Sequence, residues 1–130
     1  MRKLLLTTWL SMTVVLTFAQ GIPVIRMFTP EAYHANGINL DIAIGEDGTV
    51  YVANFEGLLY YDNADWHTIY TPDLTRTTQL YRDKKQTIWV GGYNFFGKIK
   101  KGSNGQRLLE RFNKPNLFLG EVQKIWEKNG

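Results

Sequence analysis

Short runs of apolar and polar residues, separated by glycine-containing turns, make up most of this chain. Thr49 to Asn54 is rich in β-branched and aromatic residues, and a second apolar run from Leu58 to Asp62 follows Gly57. The dipeptide Asp47-Gly48 before the first run is a strong short-range turn signal. Together these features predict two consecutive strands, because such residues suit a pleated and half-buried surface.

The same pattern recurs once along the chain. Thr49 to Thr87 is 38 residues, and Gly57 to Gly97 is 40. A period near 40 with four strand-sized pieces is typical of a β-propeller blade. The predicted fold class is therefore all-β, with blades of four antiparallel strands, two of them complete and a third begun. The predicted strands are Leu40 to Ile44, Thr49 to Asn54, Leu58 to Asp62, Trp66 to Tyr70, Thr78 to Arg82, Thr87 to Gly91, Phe96 to Lys100, Leu108 to Phe112 and Glu121 to Trp126.

This pattern divides the chain into five parts: a signal peptide (1–19), a lead-in segment (20–38), blade 1 (39–76), blade 2 (77–118) and the truncated start of blade 3 (119–130). Ile22 to Phe28 in the lead-in predicts one edge strand, since proline is tolerated there. Two blades cannot close a ring and would leave long unpaired edges. We therefore expect an N-terminal fragment of a longer protein, with assembly from several chains as the alternative.

The first residues predict export. Arg2 and Lys3 precede an apolar run from Leu4 to Phe18, and Ala19 supplies a small residue for cleavage. This layout is that of a secretory signal peptide and predicts a periplasmic location. An uncleaved anchor and a buried N-terminal helix are the alternatives. Without Arg2 and Lys3, thirteen basic and twelve acidic residues leave a net charge of +1, so no nucleic-acid partner is predicted for this chain.

The repeats also resemble a known family. Leu40 to Asp62 and Leu80 to Gly92 look like two-component regulator propeller repeats, in which an apolar strand, an Asp-Gly turn and an Ile-Trp-Val-Gly strand follow one another. The resemblance implies an extracytoplasmic ligand sensor of a bacterial signal-transduction or transcription regulator, often tuned to carbohydrates. It also implies a full-length protein anchored in the inner membrane by its missing C-terminal part, where either a histidine kinase or a DNA-binding domain would lie, and a possible homodimer. Lys85-Gln86 departs from the pattern by replacing Asp-Gly, and Tyr93 to Phe96 is expected to lengthen the next loop.

Residues for catalysis or metal binding are not apparent. His34 and His67 lack a partner at metal-ligand spacing. The carboxylates of Glu46, Asp47, Asp62 and Asp65 fall in predicted turns, where aspartate bonds its own backbone. We therefore predict no catalytic residue, no metal site and no cofactor for this chain. A secreted propeller enzyme of lyase or hydrolase type, or a structural scaffold, is the alternative function.

The loops between second and third strands are the predicted ligand site. Tyr51 and Trp89 occupy equivalent strand positions, which indicates shared core packing. The loops that follow them differ, and in propellers such loops surround one mouth of the channel. Aromatic rings stack on sugars and amides pair with their hydroxyls, so a small-molecule or oligosaccharide ligand is the predicted partner. The candidate ligand-binding residues are Asn54, Phe55, Glu56, Tyr93, Asn94 and Phe95.

Overall fold

The computed structural model describes Met1, Gly21 and residues 23–128. These residues form two four-stranded antiparallel sheets with one short helix, α1 (Pro30–Tyr33). The predicted all-β class is thus confirmed. Sheet 1 contains β1 (Asn39–Ile44), β2 (Val50–Asn54), β3 (Gly57–Tyr61) and β4 (Trp66–Ile69), and sheet 2 contains β5 (Thr77–Arg82), β6 (Ile88–Gly92), β7 (Phe95–Lys101) and β8 (Arg107–Arg111). In both sheets the strands lie side by side in chain order.

The two sheets share one register over their first three strands. Asn54 pairs with Gly57 in sheet 1, and Gly92 pairs with Phe95 at the same position of sheet 2. Both loops between second and third strands therefore contain two residues, so the expected lengthening of the second loop is wrong. Phe95 belongs to β7. The difference in length lies in the next hairpin, because β7 has 7 residues and β3 has 5.

The turns between first and second strands also correspond. The Gly48 amide donates to the Gly45 carbonyl, and the Gln86 amide donates to the Asp83 carbonyl. Gly48 has a φ of 78° and Gln86 a φ of 66°, so both occupy the left-handed region. Glycine adopts this conformation without steric cost, whereas glutamine does not. The replacement of Asp-Gly by Lys-Gln therefore keeps the turn but strains it.

The main core lies between the two sheets. Leu58 of sheet 1 and Val90 and Phe95 of sheet 2 are each 0% exposed. Tyr51 joins this cluster as predicted, being 4% exposed. Trp89, its equivalent, is half-buried on the far face of sheet 2, where it stacks on Phe96 with ring centres 5.5 Å apart. The predicted shared packing is thus met by Tyr51 alone, because no further sheet covers Trp89 among the described residues.

A smaller core covers the other face of sheet 1. Tyr33 of α1 packs with Val52 and Leu59, and Phe28 lies 5.3 Å from Trp66 between ring centres. Residues 23–29 form no strand, so the edge strand predicted over Ile22 to Phe28 is not found in its described part. The lead-in instead anchors itself through aromatic side chains.

The strand predicted after sheet 2, over Glu121 to Trp126, is present only as a single bridge. Glu121 forms this isolated bridge with Tyr93, and residues 122–128 form no strand. The predicted signal peptide lies outside the described residues, apart from Met1. Within the part of the chain that is described, no helix has the length and apolarity to cross a membrane.

Candidate ligand-binding site

The loops between second and third strands meet the segment that connects the two sheets. The Tyr93 amide donates to the Arg76 carbonyl at 3.1 Å, and the Thr75 hydroxyl donates to the Tyr93 carbonyl at 2.9 Å. The Asn54 amide donates to the Thr77 hydroxyl at 3.1 Å, and that hydroxyl donates to the Gly57 carbonyl at 2.6 Å. One end of the sheet pair thus brings together three segments that are distant in sequence.

Arg76 lies at the centre of this end. Its guanidinium carbon is 5.4 Å from the centre of the Phe55 ring and 5.3 Å from that of Tyr93, within the range of cation–π attraction. Its Nε donates to a carboxylate oxygen of Glu121 at 2.9 Å. The Phe118 ring meets that of Tyr93 edge-on with centres 6.1 Å apart. We call this group the aromatic mouth, and its members are Phe55, Arg76, Tyr93, Phe118 and Glu121.

The aromatic mouth is open to solvent. Phe55 is 45% exposed and Phe118 is 73% exposed. The hydrogen bond between Arg76 and Glu121 raises the pKa of the guanidinium and lowers the pKa of the carboxyl, so both groups are charged across the physiological range. An ion pair this exposed adds little to folding stability. It does hold Arg76 in position between the rings.

Two of the predicted ligand residues have no accessible surface. Asn54 is 0% exposed, and its amide nitrogen donates to the Asn36 carbonyl at 2.6 Å and to the Asn39 side chain at 2.8 Å. Its side-chain oxygen accepts from the Glu56 amide at 2.9 Å. Phe95 is likewise 0% exposed and packs between the sheets. In this structure neither residue can stack on or bond to a ligand at the surface.

Of the other predicted ligand residues, Asn94 supports the backbone of a neighbouring segment and Glu56 is exposed away from the aromatic mouth. Asn94 has a φ of 54°, and its side-chain oxygen accepts from the amides of Leu119 at 3.2 Å and Gly120 at 3.0 Å. It therefore fixes the segment that carries Phe118. Glu56 is exposed and faces α1 across a shallow depression. Phe55 and Tyr93 are the predicted residues that the structure places in the aromatic mouth.

Sequence reasoning missed Arg76 and Glu121. These residues are 45 positions apart, and neither belongs to a local motif. Their pairing arises because the segment before β5 and the segment after β8 both contact Tyr93, in the loop between β6 and β7. The repeat itself contained one usable signal. Arg76 precedes sheet 2 at the position where Ile38 precedes sheet 1, since the Phe55 amide donates to the Ile38 carbonyl and the Tyr93 amide donates to the Arg76 carbonyl. A charged residue at a repeat position that is apolar in the other repeat indicates that the two loops differ there.

One of the two histidines, His67, and the turn carboxylates Asp47 and Asp62 have structural partners. His34 is exposed, and His67 pairs with Asp62 at 2.9 Å between Nε2 and Oδ2. The amides of Asp65 and Ala64 hold the pKa of the Asp62 carboxyl at about 2. Among the described residues, no group of three or more histidine, aspartate or glutamate side chains could hold a metal ion.

The opposite end of the sheet pair carries a polar clamp. Arg107 donates to the Tyr51 hydroxyl at 2.9 Å, to the Thr49 hydroxyl at 2.7 Å and to the Asp47 carboxylate at 3.1 Å. Burial raises the pKa of Asp47, but hydrogen bonds from Thr49 and Lys101 outweigh burial and hold that pKa well below its usual range. The polar groups at this end therefore bind one another and fasten sheet 2 to sheet 1.

Comparisons of the chain with protein-family models, with curated proteins and with solved structures found no match. The family resemblance therefore stands on the repeat residues alone, and the function is argued from the geometry.

Proposed function

We propose that this chain is the N-terminal part of an extracytoplasmic β-propeller that senses a ligand for a bacterial signal-transduction or transcription regulator. The observation that carries the proposal is the aromatic mouth, where exposed aromatic rings and the Arg76 guanidinium, which Glu121 fixes in place, lie together at one end of the two repeated sheets. Exposed apolar rings grouped with a few fixed polar atoms are typical of ligand sites. A carbohydrate is the proposed ligand.

The packing of the sheets supports their interpretation as neighbouring blades. Their first strands lie against each other: the Leu80 amide donates to the Asp41 carboxylate and Arg82 donates to the Ile44 carbonyl, both at 2.8 Å. In a propeller the first strands of successive blades line the central channel, and each blade packs face to face on the next. The common register of the two sheets is what a repeat of this kind requires.

The chemistry of the aromatic mouth suits a sugar. The faces of a pyranose ring carry C–H groups that pack on aromatic rings, and its edges carry hydroxyls that need polar partners. Phe55, Tyr93 and Phe118 supply rings, and the Tyr93 hydroxyl and the remaining guanidinium N–H groups of Arg76 supply polar contacts. The Asn94 side chain positions this surface from below through its bonds to residues 119 and 120.

Calorimetric titration of the complete sensor against candidate oligosaccharides tests the proposal. We expect Tyr93→Ala and Phe55→Ala each to weaken binding by about 0.5–1.5 kcal/mol, which is about 2- to 12-fold, on the scale of one aromatic contact. Ser103→Ala is the control, because this residue is exposed in the hairpin between β7 and β8, at the end of the sheet pair opposite the mouth. Unchanged affinity in both mouth variants, with the fold intact by circular dichroism, would move the ligand site elsewhere.

The proposed location has its own test. Export through the predicted signal peptide implies a mature protein that begins near Gln20, found in the cell envelope. N-terminal sequencing of the envelope fraction measures this directly. A product in the cytoplasm that retains Met1 would reject the sensing of an extracytoplasmic ligand, whatever the aromatic mouth binds.

A further inference from the structure

The aromatic mouth contains two charged residues of opposite sign. The hydrogen bond between Arg76 and Glu121 raises the pKa of the guanidinium and lowers the pKa of the carboxyl, so both are ionised at physiological pH. One positive and one negative charge leave the five residues of the mouth with no net charge. Arginine is the usual partner of carboxylate, phosphate and sulfate groups, so its neutralisation by Glu121 bears on which ligands fit.

Glu121 is held next to Arg76 by its own backbone. It forms a bridge with Tyr93, and the next residue, Val122, donates its amide to the Gly92 carbonyl at 3.2 Å. The Thr78 hydroxyl donates to the Val122 carbonyl at 2.5 Å. The segment that carries the carboxylate is thus bonded to two strands of sheet 2, and a ligand would meet that carboxylate already in place.

The contacts of Arg76 decide what it can offer to a ligand. Its guanidinium lies over the Phe55 and Tyr93 rings, and its Nε donates to Glu121, so a ligand would use the terminal N–H groups. An anionic group bonded to them would lie within one screening length, about 8 Å, of the Glu121 carboxylate, because the guanidinium itself is small. The two like charges would repel each other, whereas a sugar hydroxyl in the same place would accept the bond without that cost.

The loop that presents Phe55 adds a further carboxylate. Glu56 follows Phe55 in the two-residue loop between β2 and β3 and is exposed. This loop therefore brings negative and no positive charge to the border of the mouth. An acidic ligand would meet this charge as it approached the Phe55 ring, which adds to the repulsion from Glu121.

We propose that Glu121 is a specificity-determining residue, which excludes anionic groups from Arg76 and so limits the aromatic mouth to uncharged sugars. The ligand class is then a neutral oligosaccharide, and oligosaccharides that carry uronate or sulfate groups are rejected. A repulsive group placed against the wrong ligand is a general means of discrimination. The sugar itself comes from the proposed function, on which this inference rests, but the exclusion of anions from Arg76 is measurable without any sugar.

Sulfate is the probe for the measurement without sugar. NMR of the 130-residue chain with ¹⁵N-labelled arginine follows the Nε–H signal of Arg76 as sodium sulfate replaces sodium chloride at constant ionic strength. The Arg107 signal is the internal reference, because its guanidinium already belongs to the polar clamp at the opposite end. Glu121→Gln removes the charge but keeps the size of the side chain. Glu46→Gln, exposed in the turn between β1 and β2, is the matched control for lost charge.

We expect sulfate to leave the Arg76 signal unchanged in the unaltered chain and in Glu46→Gln. In Glu121→Gln we expect a saturating shift of this signal and no shift of the Arg107 signal. The exposed ion pair adds little to stability, so the variant should keep the fold, and circular dichroism checks this. A saturating shift at Arg76 in the unaltered chain would overturn the proposal. So would the absence of a shift in Glu121→Gln, or an equal shift in Glu46→Gln.

Matched sugars test the same selection in the complete sensor. The probes are galactose and galacturonate oligosaccharides of the same linkage and length, titrated by calorimetry. We expect the unaltered sensor to bind the neutral form about 3- to 10-fold more tightly than the acidic form, and Glu121→Gln to narrow that ratio. Tighter binding of the acidic form by the unaltered sensor would overturn the proposal. If the sensor binds no sugar at all, the proposed function fails, while the sulfate measurement still decides whether Glu121 excludes anions.

Discussion

Replacing Asn54 separates a structural role for this side chain from the ligand role that its loop position predicted. Asn54 is 0% exposed and makes three side-chain hydrogen bonds, to the Asn36 carbonyl, the Asn39 side chain and the Glu56 amide. These bonds hold the segment before β1 against the loop between β2 and β3. The change to alanine removes all three and leaves their partners unpaired in a part-buried place.

The expected cost follows from those contacts. A hydrogen bond contributes about 0.5–1.5 kcal/mol net, and a buried group left without a partner costs about 1–3 kcal/mol. For three bonds whose partners regain some contact with water, we expect Asn54→Ala to lower the free energy of unfolding by roughly 2–4 kcal/mol. Asn54→Asp should be at least as damaging, because it keeps the acceptor for Glu56 but replaces the donor with a second acceptor beside two oxygens.

Urea unfolding followed by tryptophan fluorescence measures the effect. Asn116→Ala is the matched control, since this asparagine is exposed and its loss should change stability by less than about 0.5 kcal/mol. Each variant is measured at two protein concentrations, because association would shift the midpoint with concentration. If Asn54→Ala unfolds with the midpoint of the unaltered chain, the hydrogen-bond argument is refuted and a ligand role for Asn54 becomes possible again.

Three further predictions concern the turns and the core. Gln86→Gly should raise stability by about 0.5–1 kcal/mol by relieving the left-handed backbone, while Gly48→Ala at the equivalent place should lower it by a similar amount; the opposite ordering in urea unfolding would contradict the strain argument. Phe95→Ala should cost about 3–5 kcal/mol because the ring is 0% exposed, whereas Phe55→Ala should cost far less; equal losses would contradict the assignment of Phe95 to the core. The pKa of Asp62 is about 2 in the folded chain, so the stability that this carboxylate contributes is complete above the ordinary aspartate pKa near 4 and is lost as the pH falls toward 2. Thermal melts should therefore show that Asp62→Asn loses less stability than the unaltered chain over this pH interval. Identical acid profiles of the two proteins would exclude the contribution.

The strands could be predicted because their local signals agree with one another. β-Branched and aromatic residues fill β2 and β6, and turn residues precede both, so each boundary was placed within one or two residues. The third strands were harder. Gly57 and Gly97 look equivalent in sequence, but the pairing aligns Gly57 with Phe95. Gly97 has a different reason to be glycine, since a Cβ there would lie 2.2 Å from the Glu110 carbonyl oxygen.

The site was less predictable than the fold because exposure at a loop depends on the register of the strands around it. β7 begins one residue before the predicted strand, so Phe95 lies in the core and not in the predicted loop, while Tyr93 stays outside. Asn54 ends β2 in a position that sequence cannot distinguish from a surface turn, and long-range bonds to residues 36 and 39 bury it. Contacts between distant segments, such as that of Arg76 with Glu121, carry no local signature.

The two ends of the sheet pair differ in a way that bears on which of them recognises a ligand. At the clamp end, Arg107 already binds Asp47, Thr49 and Tyr51, so a ligand there would have to replace three existing bonds. At the mouth, Arg76 has one bonded carboxylate and lies over the Phe55 and Tyr93 rings, while Phe55 remains 45% exposed and Phe118 73% exposed. Binding to the mouth therefore gains ring contacts and covers apolar surface without breaking a network that fastens the sheets. This difference in cost is the physical reason to place recognition at the aromatic mouth and structural attachment at the clamp.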